Sequence, residues 1–230
     1  RMILADLTYE EVEKLAADLG VPSYRAKQLY AHITRFDEYD EMSDLPAAFR
    51  EKLKSLYAAR GVGIEKKLVS RDGTEKYLYR LTDGNIIEGA FMKQSYGNTL
   101  CVSTQVGCRM GCAFCASGIG GLVRNLTAGE ILSQVLCVNR EAGGNAKMRA
   151  VTNVVLMGSG EPLDNYDEVT KFIRLLSSEK GLDMSERNIS LSTCGLVENV
   201  YRLADDGFAV TLTFSLHASD DEARRKVMPI

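Results

Sequence analysis

Three cysteines stand in the segment Cys108-Arg109-Met110-Gly111-Cys112-Ala113-Phe114-Cys115, spaced C-x3-C-x2-C. Thiolates this close together suit a soft metal, and two kinds of centre compete for them. A structural zinc ion normally takes four protein ligands, so a fourth would have to come from elsewhere. An iron–sulfur cube is normally held by four cysteines. With three, one iron stays open to a substrate or cofactor, and the spacing favours this reading. Gly118, Gly120 and Gly121 follow, and they let the backbone wrap closely round a bulky group. The remaining cysteines are Cys101, Cys137 and Cys194, so four of the six fall within fifteen residues. Such clustering speaks for metal or catalysis rather than a disulfide framework.

The elements that must position this loop are legible in outline. Thr8 and Glu11 make a capping box, and Leu7 with Val12 a hydrophobic staple, for a helix that stops at Gly20. Pro22-Ser23 opens a second helix with Ala26, Leu29, Tyr30 and Ile33 on one face. His32 lies within it and reads as structural. Asp44 and Pro46 start a third helix, predicted to end near Gly61. Turn signals at Asp72-Gly73, Asp83-Gly84 and Gly97-Asn98 then mark an antiparallel meander. After it, strand and helix alternate. Strands are expected at Leu100–Val106, Val151–Met157, Asn188–Thr193 and Ala209–Leu216. Helices are expected near 128–140, 166–178 and 197–205, and a polar stretch covers 220–226. Alternation of this length predicts an α/β fold with a parallel sheet. The cysteine loop follows its first strand, at the carboxyl end where such sheets do chemistry. The expected organisation is a helical unit over 1–62, a β meander over 63–98 and an α/β core over 99–230. A fourth strand with no closing element after it reads as the middle of a domain, so the chain is expected to be part of a longer one.

Bulk properties narrow the class. No run of eighteen apolar residues occurs and no secretory signal opens the chain, so a cytoplasmic protein away from membranes is expected. Net charge is only −3, yet residues 1–49 carry five basic against ten acidic side chains and residues 50–80 carry nine against four. With Tyr57, Tyr77 and Tyr79 among them, the second segment is a candidate phosphate-backbone footprint. A solvated charged face is the plainer reading.

The cysteine spacing, with Phe114 before the last cysteine, resembles the signature loop of radical S-adenosylmethionine (SAM) enzymes. Leu100–Cys108, Gly121–Thr127, Gly160-Glu161-Pro162-Leu163, Leu191-Ser192-Thr193-Cys194-Gly195 and Ser215-Leu216-His217-Ala218 resemble the RlmN/Cfr family within that superfamily. The likeness covers essentially the whole chain. It implies a partial (β/α) barrel preceded by the helical unit and the meander, with a 4Fe-4S cluster and SAM as cofactors. It also implies Cys108, Cys112 and Cys115 as cluster ligands, and Gly160, Glu161, Ser192, Ser215, Leu216 and His217 as SAM contacts. Ser159 departs from a methionine frequent in the family. Cys101 matches a second catalytic thiol, which releases a covalent protein–RNA adduct by forming a disulfide. Glu88 matches a proton acceptor.

The implied reaction is methylation of adenine C2 in 23S rRNA and tRNA through a methyl-cysteine, with flavodoxin or ferredoxin as external electron donor. C8 methylation of the same adenine, a protein-directed radical SAM activase, and an RNA-binding module with a structural metal are the other readings. The methyl-carrying cysteine and a last SAM-contacting asparagine of the family have no match after Cys194, so this stretch alone is expected not to turn over. Lys66, Lys67 and Arg71, with the helical start, are the candidates for holding locally unfolded RNA.

Overall fold

A computed structural model describes residues 2–230. The chain opens with β1 (Met2–Ile3), α1 (Tyr9–Asp18), α2 (Tyr24–Arg35), α3 (Ala47–Leu56) and β2 (Tyr57–Ala58). The expected capping box is present at α1: Thr8 Oγ1 accepts from the Glu11 amide at 3.2 Å, and the Thr8 amide donates to Glu11 Oε2 at 2.8 Å. Ala26, Leu29, Tyr30 and Ile33 are buried along α2, as their spacing requires. The third helix ends at Leu56 rather than near Gly61, because Tyr57 and Ala58 pair in parallel with Met2 and Ile3. His32 is buried with Asp37 Oδ2 2.7 Å from Nδ1 and Asp44 Oδ1 2.5 Å from Nε2, a structural role.

Next come β3 (Val62–Val69), β4 (Glu75–Leu81), β5 (Ile86–Gln94) and β6 (Gly97–Cys101). The remaining elements are β7 (Gln105–Gly107), β8 (Leu122–Asn125), α4 (Ala128–Glu141), β9 (Asn153–Leu156), α5 (Tyr166–Ser177), β10 (Ile189–Thr193), α6 (Val197–Asp205), β11 (Thr211–Phe214) and α7 (Asp221–Val227). One seven-stranded sheet runs β11-β10-β9-β6-β5-β4-β3. Its β6, β9, β10 and β11 are parallel, and β3 to β6 form the antiparallel meander. Because β6 pairs with both β5 and β9, the meander and the β/α part share one continuous sheet. The four parallel strands lie in chain order with helices between them, an open partial barrel of the expected kind. No helix among the described residues is long and apolar enough to cross a membrane.

The expected strand over Leu100–Val106 divides in two. After Cys101 the backbone turns to the loop following β9: the Thr104 and Gln105 amides both donate to the Ser159 carbonyl, at 2.9 and 3.1 Å. Gln134 on α4 holds Ser103 from both backbone sides at 2.9 Å. Gln105–Gly107 then pairs with β8 in a separate two-stranded sheet that brackets the cysteine loop. The polar stretch near the end is helical as α7, capped by Asp220, whose Oδ1 accepts from the Ala223 amide at 2.9 Å.

Candidate functional site

The cysteine loop is pinned at both ends. Gly107 has φ +76°, and a Cβ there would lie 2.0 Å from the Gly121 carbonyl oxygen. Only glycine lets the two sides meet, and the Cys108 amide then donates to that carbonyl at 3.1 Å. Arg109 reaches Asp164 after β9, with Nε 3.0 Å from Oδ2. Gln105 supports the same carboxylate at 2.9 Å. From the other side, the Ala113 amide donates to the Val227 carbonyl at 2.8 Å, tying the loop to α7. Met228 is buried against Met110 and Cys194, beside Cys108 and Cys112.

The loop and the carboxyl ends of β9, β10 and β11 enclose a cavity of about 270 Å³. Cys108, Cys112 and Cys115 line one side of it. Gly160, Glu161, Ser192, Ser215 and His217 line the other. Leu216 does not line it: its side chain is exposed, because successive residues leaving β11 alternate in direction. Its carbonyl accepts from Arg224 Nε at 3.2 Å, so only its backbone is near the site. His217 has a left-handed φ of +57°, and its ring lies 4.5 Å from that of Phe114.

Glu161 is 5% exposed, and its carboxylate accepts from the Thr193 hydroxyl at 2.6 Å and the Cys194 and Leu163 amides at 2.8 and 3.0 Å. A buried carboxylate with three donors is a clamp joining the β9 loop to the end of β10. Gly160, at φ +104°, lets this loop pass Gln105, since a Cβ there would come within 2.6 Å of the Gln105 Cβ. Ser159, in place of the family's frequent methionine, lies with its hydroxyl 3.3 Å from that of Ser117.

The donor set fits an iron–sulfur cluster. Burial pushes the Cys108 thiol up, partly offset by the Met110 amide, and burial with nearby anionic groups pushes Cys112 up. A cationic group in the cavity reverses that balance, because a coordinated thiol gives up its proton. Cys108, Cys112 and Cys115 rim one shared cavity, an arrangement in which each thiol can serve a different iron of one polynuclear group.

A larger cavity, about 550 Å³, adjoins the first and shares Cys115, Met157 and Gly158 with it. Cys101 and Glu88 line it. The Cys101 thiol is pushed up by burial, with the Met157 amide working the other way. Glu88 Oε2 lies 2.6 Å from Lys76 Nζ, both side chains about half exposed. All six cysteines are free, so no disulfide joins Cys101 to another thiol in this chain.

Sequence reasoning missed Met110, Met228 and Arg224. Arg224 Nη2 donates to the Cys194 and Ser215 carbonyls at 2.6 and 3.2 Å, latching α7 over the strand ends. The signal existed: Asp220-Asp221-Glu222 followed by Arg224-Arg225-Lys226 places acids at a helix start and bases at its end. The tyrosines of the basic segment are a correction. Tyr77 and Tyr79 are fully buried and Tyr57 nearly so, because alternation along β4 turns the first two inward, so none can stack on a base. Lys67 is committed to Glu75 at 3.0 Å, whereas Lys66 and Arg71 are exposed.

A three-cysteine loop at the carboxyl end of a parallel sheet, facing strand ends across a shared cavity, defines a class. Residues 102–230 match the family model of the radical SAM superfamily, and residues 2–58 match that of the ribosomal RNA large subunit methyltransferase N-terminal domain. The chain belongs to the radical SAM superfamily, and within it its similarity is to RlmN-type proteins, so a 4Fe-4S cluster and SAM are its implied cofactors. It is 50% identical over 230 residues to a Clostridium acetobutylicum protein and 48% identical over 227 residues to one from Lachnoclostridium phytofermentans. Both are named probable dual-specificity RNA methyltransferase RlmN. These matches cover 99% and 97% of this chain, which spans 65% and 62% of the relatives' length. The crystal structure of a radical SAM methyltransferase from Sphaerobacter thermophilus superposes with a TM-score of 0.93 at 41% identity, covering 100% of this chain and 67% of that one.

Proposed function

We propose that this protein is a radical SAM methyltransferase that places a methyl group on adenine C2 in 23S rRNA and tRNA through a methyl-cysteine. The observation that carries the reading is the pair of adjoining cavities. One is rimmed by Cys108, Cys112 and Cys115 opposite Gly160, Glu161, Ser192, Ser215 and His217; the other holds Cys101 and Glu88.

Adenine C2 is an electron-poor amidine carbon, so neither deprotonation nor direct attack on a sulfonium methyl is available there. When bound, the cluster and SAM supply one-electron chemistry strong enough to take hydrogen from an unactivated methyl group. The chain's own residues serve that chemistry. Cys108, Cys112 and Cys115 hold the cluster. The Gly160-Glu161 backbone, Ser192, Ser215, the Leu216 backbone and His217 orient SAM. The packed wall of Met110, Met228 and Cys194 keeps water out.

In the adjoining cavity, Glu88 accepts the proton lost from the base. The Cys101 thiol frees the RNA by attacking the sulfur of the methyl-carrying cysteine: an S–S bond forms as the S–CH2 bond breaks, and the released carbon takes a proton to become the methyl group. Neither Cys137, buried in α4, nor Cys194, on the cluster side, faces that cavity. An external flavodoxin or ferredoxin supplies electrons.

Reconstitution without oxygen tests the first half: broad visible absorbance and SAM-dependent 5′-deoxyadenosine are expected, and a sample holding only zinc overturns it. Nucleoside mass spectrometry of RNA from a strain lacking the gene tests the second. Loss of 2-methyladenosine is the expected result, and loss of 8-methyladenosine instead assigns the C8 reaction.

A further inference from the structure

Lys76 stands where none of the motifs pointed. Register pairs Lys76 on β4 with Ala90 on β5, and Ala90 with Cys101 on β6. Directly opposed residues rise from the same face of a sheet. The three therefore form one row across the floor of the larger cavity, with the smallest side chain in the middle. Two strand spacings set the ammonium stem roughly 10 Å from the thiol stem. Glu88, two residues before Ala90, shares that face and meets Lys76 diagonally at 2.6 Å. Among the residues described as lining the cavity, Lys76 is the one cation and Glu88 the one anion.

The pair is poorly suited to a purely structural role. Both side chains are about half exposed, and solvent screening leaves an exposed ion pair contributing little to stability. An ammonium held so weakly exchanges readily to a stronger anion. The cavity also has a problem that Lys76 solves: a carboxylate in its lining repels a polyanion unless a cation covers it.

We propose that Lys76 is a substrate-binding residue of the Cys101 cavity that changes partners. In the free protein it rests on Glu88. When RNA enters, its ammonium moves to a backbone phosphate next to the target nucleotide, and the carboxylate it leaves is an unpaired base facing the cavity. RNA arrival thus uncovers the proton acceptor. This rests on the function proposed above.

The test uses the full chain, loaded with cluster, and a short RNA hairpin carrying an unpaired adenine in its loop. Its affinity is measured over a range of salt for the wild type, Lys76→Met, Lys76→Arg and Lys76→Met/Glu88→Gln. Loss of one phosphate contact lowers the magnitude of the log–log salt slope by about 0.7. Lys76→Met is expected to show that fall and to bind roughly three- to tenfold more weakly near 0.1 M salt. Lys76→Arg keeps the wild-type slope. The double variant regains affinity without regaining slope, because the bare carboxylate is gone while the contact is still missing. Circular dichroism of each variant confirms folding. A wild-type slope in Lys76→Met, or a Lys76→Arg slope as low as that of Lys76→Met, overturns the proposal alone. Wild-type protein that binds no RNA overturns the function reading, and this proposal with it.

Discussion

Glu161 ties the loop after β9 to the end of β10 at the wall of the smaller cavity. Its carboxylate takes three donors in a nearly dry setting. Glu161→Gln turns one acceptor oxygen into a donor that must face a hydroxyl or an amide. A cost of about 2 kcal/mol follows, read as a fall in Tm of roughly 4–8 °C for a domain of this size, together with weaker SAM binding. The cysteines give a sharper contrast. Cys112→Ala is expected to abolish the visible absorbance of reconstituted protein. Cys137→Ala, on a buried position of α4, is expected to retain it. The convergence of Cys108, Cys112 and Cys115 on one cavity was legible because their spacing is itself the signal of a shared site. Glu161 was legible only as part of a motif, since nothing local in Gly-Glu-Pro says that Thr193 and Cys194 will supply its donors.

Among the elements, the β7–β8 pair and α7 matter most to the site. Gly107→Ala drives a methyl into the Gly121 carbonyl at a backbone conformation that suits glycine. The hairpin has to open, at a cost of about 1–3 kcal/mol or more, and iron retained after gel filtration is the expected loss. Arg224→Ala frees the Cys194 and Ser215 carbonyls from their latch. Faster amide exchange confined to α7 and the cysteine loop is the expected readout. Neither element was foreseen in this form. The apolar alternation from Leu100 to Val106 continues across a break that long-range contacts impose, and α7 has too little apolar periodicity to show itself by pattern. The helices with strong periodicity or caps, α1, α2 and α4 to α6, fall within a residue or two of expectation.

Across the whole molecule, the helical unit is fastened to the β/α part by charge as well as by packing. Arg140 on α4 binds the Phe36 carbonyl at 2.9 Å and Asp37 at 3.0 Å, and pairs with Glu41. Arg140 holds the Glu41 carboxyl down to about 2, against an ordinary value of 4.5. As pH falls, the unfolded chain takes up that proton first. The contribution is therefore complete above pH 4.5 and disappears between 4.5 and about 2. Glu41 is 40% exposed at its side chain, so screening limits the effect to about 1 kcal/mol or less. Urea unfolding at pH 3 and pH 6 is expected to show a smaller difference in Glu41→Gln than in the wild type. Equal differences in the two proteins would remove Glu41 from the acid response.

Local spacing alone determined the three-thiol loop, the capped helices, the alternation of strand and helix, and hence an α/β class with the cysteine loop at the strand ends. These follow from short-range rules of period, cap and ligand geometry, which a sequence carries on its surface. The tertiary structure decided what depends on register and packing between distant segments. It turned Tyr77 and Tyr79 into core, swung Leu216 outward, folded α7 over the cysteine loop, and set Lys76, Ala90 and Cys101 in one row. A strand's side chains alternate every residue, so which of them share a cavity is fixed only when its neighbours take their places.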